Sequence, residues 1–213
     1  MKLAVLVSGR GSNLQALIDA CAAEEFPAEI VLVLSNKAEA YGLERAKQAG
    51  IPTAVLSHKD FDDRESFDEA MSQKITEADA ELVCLAGFMR LLSDGFVRKW
   101  RDKLINIHPS LLPSYKGLHV HERAIEDGAR FSGCTVHFVR PAMDEGPIII
   151  QAVVPVHPED DADALAGRIL EQEHVVYPQA VRYIAEGRVR VSAERVVITD
   201  APIPHGAMVN PVG

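Results

Sequence analysis

Within Leu104-Ile-Asn-Ile-His108, an amide and an imidazole interrupt a run of branched aliphatic residues just ahead of Pro109. A strand sends alternate side chains to opposite faces, so Asn106 and His108 share one face while Ile105 and Ile107 share the other. Pro109 cannot continue a central strand, which puts the polar pair at the strand's C-terminal end. In an open parallel sheet that end is where ligands bind, in the crevice where strand order reverses. An amide that donates hydrogen bonds and an imidazole that can hold a proton suit polar chemistry on a bound ligand. The same residues could be core groups satisfied by backbone, but two on one face at a strand end favour a site.

Other groups carry chemistry too. Gly9 and Gly11 lie between an apolar run and Leu14, Leu17, Ile18 and Cys21 at helical spacing. Free backbone amides and the helix dipole favour an anion at such a turn. A dinucleotide fingerprint needs a third glycine at position 14, which is Leu, and a carboxylate after the second strand, where Ser35-Asn36 stands. The pattern speaks against NAD and for a single phosphate, with Ser12 and Asn13 as added donors, unless it is simply a tight turn before a capped helix. Glu173 falls in the middle of the helical stripe Ala166, Ile169, Tyr177, Ala180 and Ile184. A carboxylate there is expensive unless it is paired or faces a polar cavity. The alternative is that Pro178 shifts the helical phase and leaves Glu173 at the surface. Asp144, in a turn with Glu145, Gly146 and Pro147, and His137, in an apolar alternation, have ordinary explanations as turn chemistry and a satisfied core residue. Spacing alone assigns neither.

These groups need elements to hold them. Short apolar runs at 3–7, 30–34, 53–56, 82–86, 104–107, 135–139 and 148–156 read as strands. Helical spacing covers about 14–21, 43–49, 67–78, 93–100, 120–127 and 163–185. Asp62 or Asp63 is the expected cap of the third helix, and Pro178 is expected to kink or interrupt the last. The repeated strand–helix units predict a single Rossmann-like, doubly wound α/β domain with helices on both faces. The short link 140–147 predicts an antiparallel hairpin, so the sheet is mostly parallel but mixed. A small hairpin is expected from 189–191 and 196–198, and a loose, proline-bearing tail over 201–213. The division expected is a catalytic domain over 1–192, then a C-terminal strand and tail over 193–213.

Composition bounds the rest. A chain of 213 residues, 47% hydrophobic and 25% charged, is long enough for one well-cored α/β domain and is not a disordered chain. A formal net charge of −9 gives no general affinity for nucleic acid, so an anionic substrate needs a local electropositive pocket. Cys21, Cys84 and Cys134 form neither a disulfide framework nor a metal signature. The apolar run after Met1 is too short for a signal peptide, and no stretch approaches membrane-spanning length. The expectation is a cytoplasmic protein with neither a membrane nor a nucleic-acid partner.

Ser8-Gly-Arg-Gly-Ser-Asn-Leu-Gln15, Ser35-Asn-Lys37, Leu85-Ala-Gly-Phe-Met-Arg90 and Asn106-Ile-His-Pro-Ser-Leu-Leu-Pro113 form a set of motifs. Taken together, they resemble the folate-dependent glycinamide ribonucleotide transformylase (phosphoribosylglycinamide formyltransferase) family of purine biosynthesis. Gly117-Leu-His119, Thr135-Val-His-Phe-Val139, Asp144 and Gln172-Glu-His174 complete the set, which runs from Leu6 to about Gly187. Asn106, His108 and Asp144 with the proline-rich loop mark folate formyl-transfer domains, and 8–13 with 172–174 narrow the match to the ribonucleotide member. Glu145 stands where relatives often carry Gly, and 140–143 and the tail after Gly187 are not diagnostic.

The resemblance implies roles. Gly11, Ser12 and Asn13 would hold the ribonucleotide's phosphate, and Glu173 its ribose or glycinamide part. Arg64, Met89, Arg90, Leu92 and the loop 140–144, with Arg140 and Met143, would line the pocket for the co-substrate 10-formyltetrahydrofolate. Asn106 and His108 would stabilise an oxyanion, with Asp144 favouring the charged imidazole and accepting the amine's proton. No metal is expected, because an amine and a formamide are already a competent nucleophile and electrophile. The small-molecule partners would be glycinamide ribonucleotide and the folate, with the protein a monomer or homodimer. A formyltetrahydrofolate hydrolase (deformylase) is the alternative. That family usually carries an extra N-terminal domain, whereas here the first strand is expected from residue 3. Methionyl-tRNA formyltransferase shares the loop but adds a basic C-terminal domain, for which this acidic chain lacks residues.

Overall fold

The computed structural model describes residues 1–202 and 204–211. The apolar runs and helical stripes become, in chain order, β1 (Lys2–Val7), α1 (Ser12–Cys21), β2 (Glu29–Ser35), α2 (Tyr41–Gln48) and β3 (Thr53–Val55). Then follow α3 (Arg64–Glu77), β4 (Leu82–Leu85), α4 (Asp94–Lys99), β5 (Leu104–His108) and α5 (Val120–Glu126). The chain closes with β6 (Phe131–Phe138), β7 (Ile148–Pro155), α6 (Ala162–Ala185), β8 (Val189–Ser192) and β9 (Arg195–Ile198).

Among the described residues, seven strands form one sheet in the order β3-β2-β1-β4-β5-β6-β7. The strands from β3 to β5 pair in parallel, while β6 runs antiparallel to both β5 and β7. This is the expected mixed, doubly wound sheet. Alternation along β1 feeds two cores: Leu3, Val5 and Val7 pack with α1, α2, α5 and α6, and Ala4 and Leu6 pack with α3 and α4. On β5, Ile105 and Ile107 join the first core and Leu104 the second, so Asn106 and His108 point to the α3/α4 side.

Some elements differ from expectation for identifiable reasons. Strand β6 begins at Phe131, not 135, and runs through Ser132-Gly133. A Cβ on Gly133 would stand 1.9 Å from the carbonyl oxygen of Ala152, so glycine is what lets β7 approach. Helix α6 runs unbroken from Ala162 to Ala185 through Pro178, which corrects the expected interruption. An interior proline costs about 3 kcal/mol, and the buried stripe of Leu165, Ile169, Tyr177, Ala180 and Val181 offsets it. Asp63 rather than Asp62 caps α3, in a reciprocal capping box with Ser66. The terminal hairpin forms by antiparallel pairing of β8 with β9, and Val189, Val191, Val196 and Ile198 pack against the first core. The expected tail includes Ile203, Val212 and Gly213, which lie outside the described residues. Within the rest of it, Asn210 donates to the Arg130 carbonyl at 2.6 Å.

Candidate active site

Strand order reverses between β1 and β4, so the crevice opens between the turn after β1 and the loop after β4. Gly11 is the N-cap of α1 with φ 69°, and no side chain caps the helix, so its first-turn amides remain available to an anion. A Cβ on Gly11 would lie 2.7 Å from the Cα of Gly42, so this glycine is also required for packing. Ser12 lines a cleft of about 350 Å³ with Gln15, Ala16, Asp19, Arg45 and His174. Arg45 donates to the Arg10 carbonyl at 2.9 Å and to Gln15 Oε1 at 3.0 Å, which brings a cation beside the turn in an otherwise acidic chain. Sequence reading did not single out Arg45; it belongs to α2, and only the fold brings it here.

Glu173 is 6% exposed, so Pro178 does not turn it to the surface. Its Oε2 accepts a 2.6 Å hydrogen bond from Asn13 Nδ2. Burial pushes the Glu173 carboxyl up, and the Asn13 contact opposes this without cancelling it. Asn13 and Glu173, assigned by resemblance to different parts of the acceptor, are therefore each other's partners.

The polar pair on β5 sits as the alternation requires. His108 Nε2 lies 2.9 Å from the carbonyl of Tyr115, to which it can only donate, and Nδ1 lies 3.6 Å from Asp144 Oδ2. Asp144 adopts φ 54°, and its Oδ2 also accepts the Gly117 amide at 2.8 Å. Opposite Asn106 in register stands His137, whose Nδ1 donates to the Phe138 carbonyl at 3.1 Å. Burial holds the His137 imidazole below its ordinary range, so its Nε2 is an acceptor, 3.4 Å from Asn106 Nδ2. That nitrogen is also 4.0 Å from Asp144 Oδ1. His137 is thus a satisfied core residue and a neighbour of the site at once.

Beneath the proline-rich loop, buried Thr135 faces His108 across the strand pair. Its hydroxyl donates to the Ser110 carbonyl at 2.7 Å and accepts from the Leu112 amide at 3.1 Å and Gln151 Nε2 at 2.9 Å. Gln151 also donates to the Leu112 carbonyl at 2.9 Å. Sequence reading missed His137, Thr135 and Gln151 as supports of the site. The signal was there in part: 135 and 137 share a strand face, but only the antiparallel register shows that this face meets Asn106 and His108.

Of the remaining expected residues, Met89, Arg90 and Leu92 lie on the loop after β4, Arg140 and Met143 on the link between β6 and β7, and Arg64 at the start of α3. Met89 and Met143 are exposed, as are Leu91 and Leu118. The Met89 amide donates to Ser8 Oγ at 2.8 Å, and Ser8 donates to Asn36 Oδ1 at 2.6 Å, which ties this loop to the phosphate turn. Leu92 packs at the edge of the second core, and Arg90 carries a buried Nε without a partner among the described residues. Arg64 opens α3 and pairs with Glu65 at 3.8 Å. The Arg140 guanidinium is engaged by Asp102 and Glu194, each at 2.6 Å. Among the described residues, no group of three or more His, Cys, Asp or Glu is arranged to hold a metal ion, and no helix is long and apolar enough to cross a membrane.

An uncapped helix N-terminus after β1, exposed apolar residues after β4 and the Asn106–His108–Asp144 constellation at the end of β5 are set at and beside the order reversal, the arrangement of a ligand-binding α/β protein. The family model described as "Formyl transferase" matches residues 1–181. The chain is 44% identical over 209 residues to phosphoribosylglycinamide formyltransferase of Haemophilus influenzae, covering 98% of this chain and 99% of that protein. It is 53% identical over 195 residues to the trifunctional purine biosynthetic protein adenosine-3 of Drosophila melanogaster, covering 91% of this chain but spanning only 14% of that protein's length. The crystal structure of glycinamide ribonucleotide transformylase 1 from Symbiobacterium toebii superposes with a TM-score of 0.92 at 44% identity, over 94% of each chain. The chain belongs to the formyl transferase family.

Proposed function

We propose that this chain transfers the formyl group of 10-formyltetrahydrofolate to the amine of glycinamide ribonucleotide, forming formylglycinamide ribonucleotide in de novo purine synthesis. The observation that carries the reading is the meeting of Asn106, His108 and Asp144 at the strand end, one strand from the reversal point where α1 presents uncapped amides. The full-length match to the Haemophilus influenzae enzyme supports the same acceptor. Exposed Met89, Leu91, Leu118 and Met143, with the unpartnered Nε of Arg90, suit a flat aromatic donor bearing an anionic tail. Arg140's side chain is engaged elsewhere, so the 140–144 loop would contribute to the donor pocket through its backbone and Met143.

In this reading the acceptor's amine nitrogen forms a bond to the formyl carbon, and the carbonyl pair moves onto oxygen. Asn106 Nδ2 and the His108 imidazolium donate to that oxyanion, where preorganised donors act most strongly. Asp144 faces Nδ1, keeps the ring oriented and takes the amine's proton, directly or through water. Collapse of the oxyanion breaks the bond to N10, which leaves with the electron pair and receives a proton. The Tyr115 carbonyl holds the Nε2 position that the oxyanion would use, so turnover requires Tyr115 to give way. Asn13 and Glu173 would bind the acceptor as a joined pair beside Gly11 and Ser12. The catalytic unit is placed in 1–192, with 193–213 as its C-terminal strand and tail, and the setting is the cytoplasm, as monomer or homodimer.

The test is consumption of 10-formyltetrahydrofolate with and without glycinamide ribonucleotide. Acceptor-dependent turnover supports the transferase, and equal consumption without acceptor identifies a hydrolase.

A further inference from the structure

The link that carries Asp144 is tied to a part of the molecule beyond the stretch that the family model matches. Arg140 opens that link, and its side chain is only 9% exposed although it is surrounded by polar partners. Each of its guanidinium nitrogens is used: Nε donates to Glu194 Oε2 at 2.6 Å, Nη2 to Asp102 Oδ1 at 2.6 Å, and Nη1 to the Val139 carbonyl at 3.1 Å. The other oxygen of Glu194 accepts from Arg101. One carboxylate therefore fastens the β6–β7 link and the turn after α4 to the tip of the β8–β9 hairpin. That hairpin lies beyond residue 181, where the family model ends.

The turn that presents Glu194 is built against preference. Ala193 and Glu194 have φ of 48° and 57°, the left-handed region that a two-residue hairpin turn demands and that Asn-Gly or Asp-Gly would fill with less strain. A glutamate held there projects its carboxylate at Arg140 and Arg101, and the pairing holds the Glu194 carboxyl below its ordinary range. At the far end of the link, a Cβ on Gly146 would stand 1.5 Å from the Phe138 carbonyl, and the Phe138 amide donates to the Pro147 carbonyl at 2.9 Å. The far end is thus fixed by backbone packing. The near end is fixed by the Arg140 side chain. Asp144 hangs between them, and its carboxylate must reach His108.

We infer that Glu194 is a positioning residue that acts through Arg140 on the Asp144 loop, so that the C-terminal hairpin tunes formyl transfer rather than merely closing the fold. The inference rests on the formyl-transfer reading, and it concerns the donor side and the chemical step. The acceptor's phosphate turn lies after β1 and touches none of these residues.

The experiment uses the full chain with Glu194→Gln, Arg140→Met and the double variant, all assayed beside wild type. Wild-type turnover tests the underlying reading, and only the variants test this inference. A displacement of 1 Å in a catalytic group can cost about 10²-fold, so loosening one anchor is expected to lower kcat or raise the donor's KM by about tenfold in total. The acceptor's KM stays within twofold, roughly the scatter expected for uncoupled sites. The double variant is expected to be no worse than Arg140→Met alone. A second readout needs no substrate: amide hydrogen exchange over 140–147 should quicken in Glu194→Gln while that of α1 does not change. Wild-type kinetics and unchanged exchange in Glu194→Gln would overturn the inference. So would a rise in the acceptor's KM equal to that of the donor, or a lowered Tm with kcat and the donor's KM both unchanged.

Discussion

Nδ1 of His108 faces Oδ2 of Asp144 across 3.6 Å, and the same carboxylate oxygen accepts the Gly117 amide at 2.8 Å. Asp144 therefore links the imidazole on β5 to the loop that overlies it. Groups that act as one unit are non-additive, because losing either disables the other. General acid–base help is worth about 10²–10⁴ in rate, so His108→Ala and Asp144→Ala should each cost on that order in single-turnover transfer. The double variant should be little worse than the poorer single one. If the two losses multiply, Asp144 has a role independent of His108.

Glu173 yields a prediction about pH. Burial raises its folded-state pKa above the ordinary 4.5, so the folded protein favours the neutral acid. Below the ordinary value both folded and unfolded chains are protonated, and the contribution to stability is fully present. As pH rises the unfolded chain releases its proton first, and the contribution is lost by the time pH has passed the folded value. Glu173→Gln has no such loss. Urea unfolding from pH 4 to 8 should show the variant gaining on wild type as pH rises, then levelling off. A constant difference across that range contradicts the assignment. Acceptor binding by calorimetry should also weaken in this variant, and unchanged binding would mean that Glu173 serves Asn13 alone.

Gly11 is now seen to do two things. Any side chain at Gly11 would place its Cβ 2.7 Å from the Gly42 Cα, in a backbone with φ 69°. The strain alone costs on the order of 1–3 kcal/mol, so even Gly11→Ala should lower the unfolding midpoint. An unchanged midpoint would show that the turn relaxes freely.

Thr135 supports the loop over His108 through the Leu112 amide and Gln151. Thr135→Val keeps the shape and removes the hydroxyl, which leaves buried polar groups unpaired at about 1–3 kcal/mol. The variant should unfold at lower urea and transfer more slowly, with acceptor binding intact. Wild-type stability and rate together would mean the loop is held by other contacts.

How much of this was legible follows from the range of each interaction. Period-two alternation placed Asn106 and His108 correctly, since a strand's geometry is local. The helical stripe of α6 placed Glu173 on the buried face, although the effect of Pro178 was overestimated; a helix held by long-range packing tolerates the missing amide. The partners were not legible. His137 meets Asn106 only through an antiparallel register, Asn13 meets Glu173 from 160 residues away, and Arg140 turns to a hairpin no motif describes. The start of β6 was not legible because the apolar alternation begins only at 135, whereas Gly133 lies inside the strand and lets β7 approach.

The central claim is that the formyl group passes directly to the acceptor's amine. Supplying 10-formyltetrahydrofolate labelled at the formyl carbon, with glycinamide ribonucleotide in excess, and following the label tests it most directly. The account predicts that the label appears in the product's formamide at the rate at which tetrahydrofolate forms. Label recovered as free formate at that rate, whether or not the acceptor is present, would contradict it.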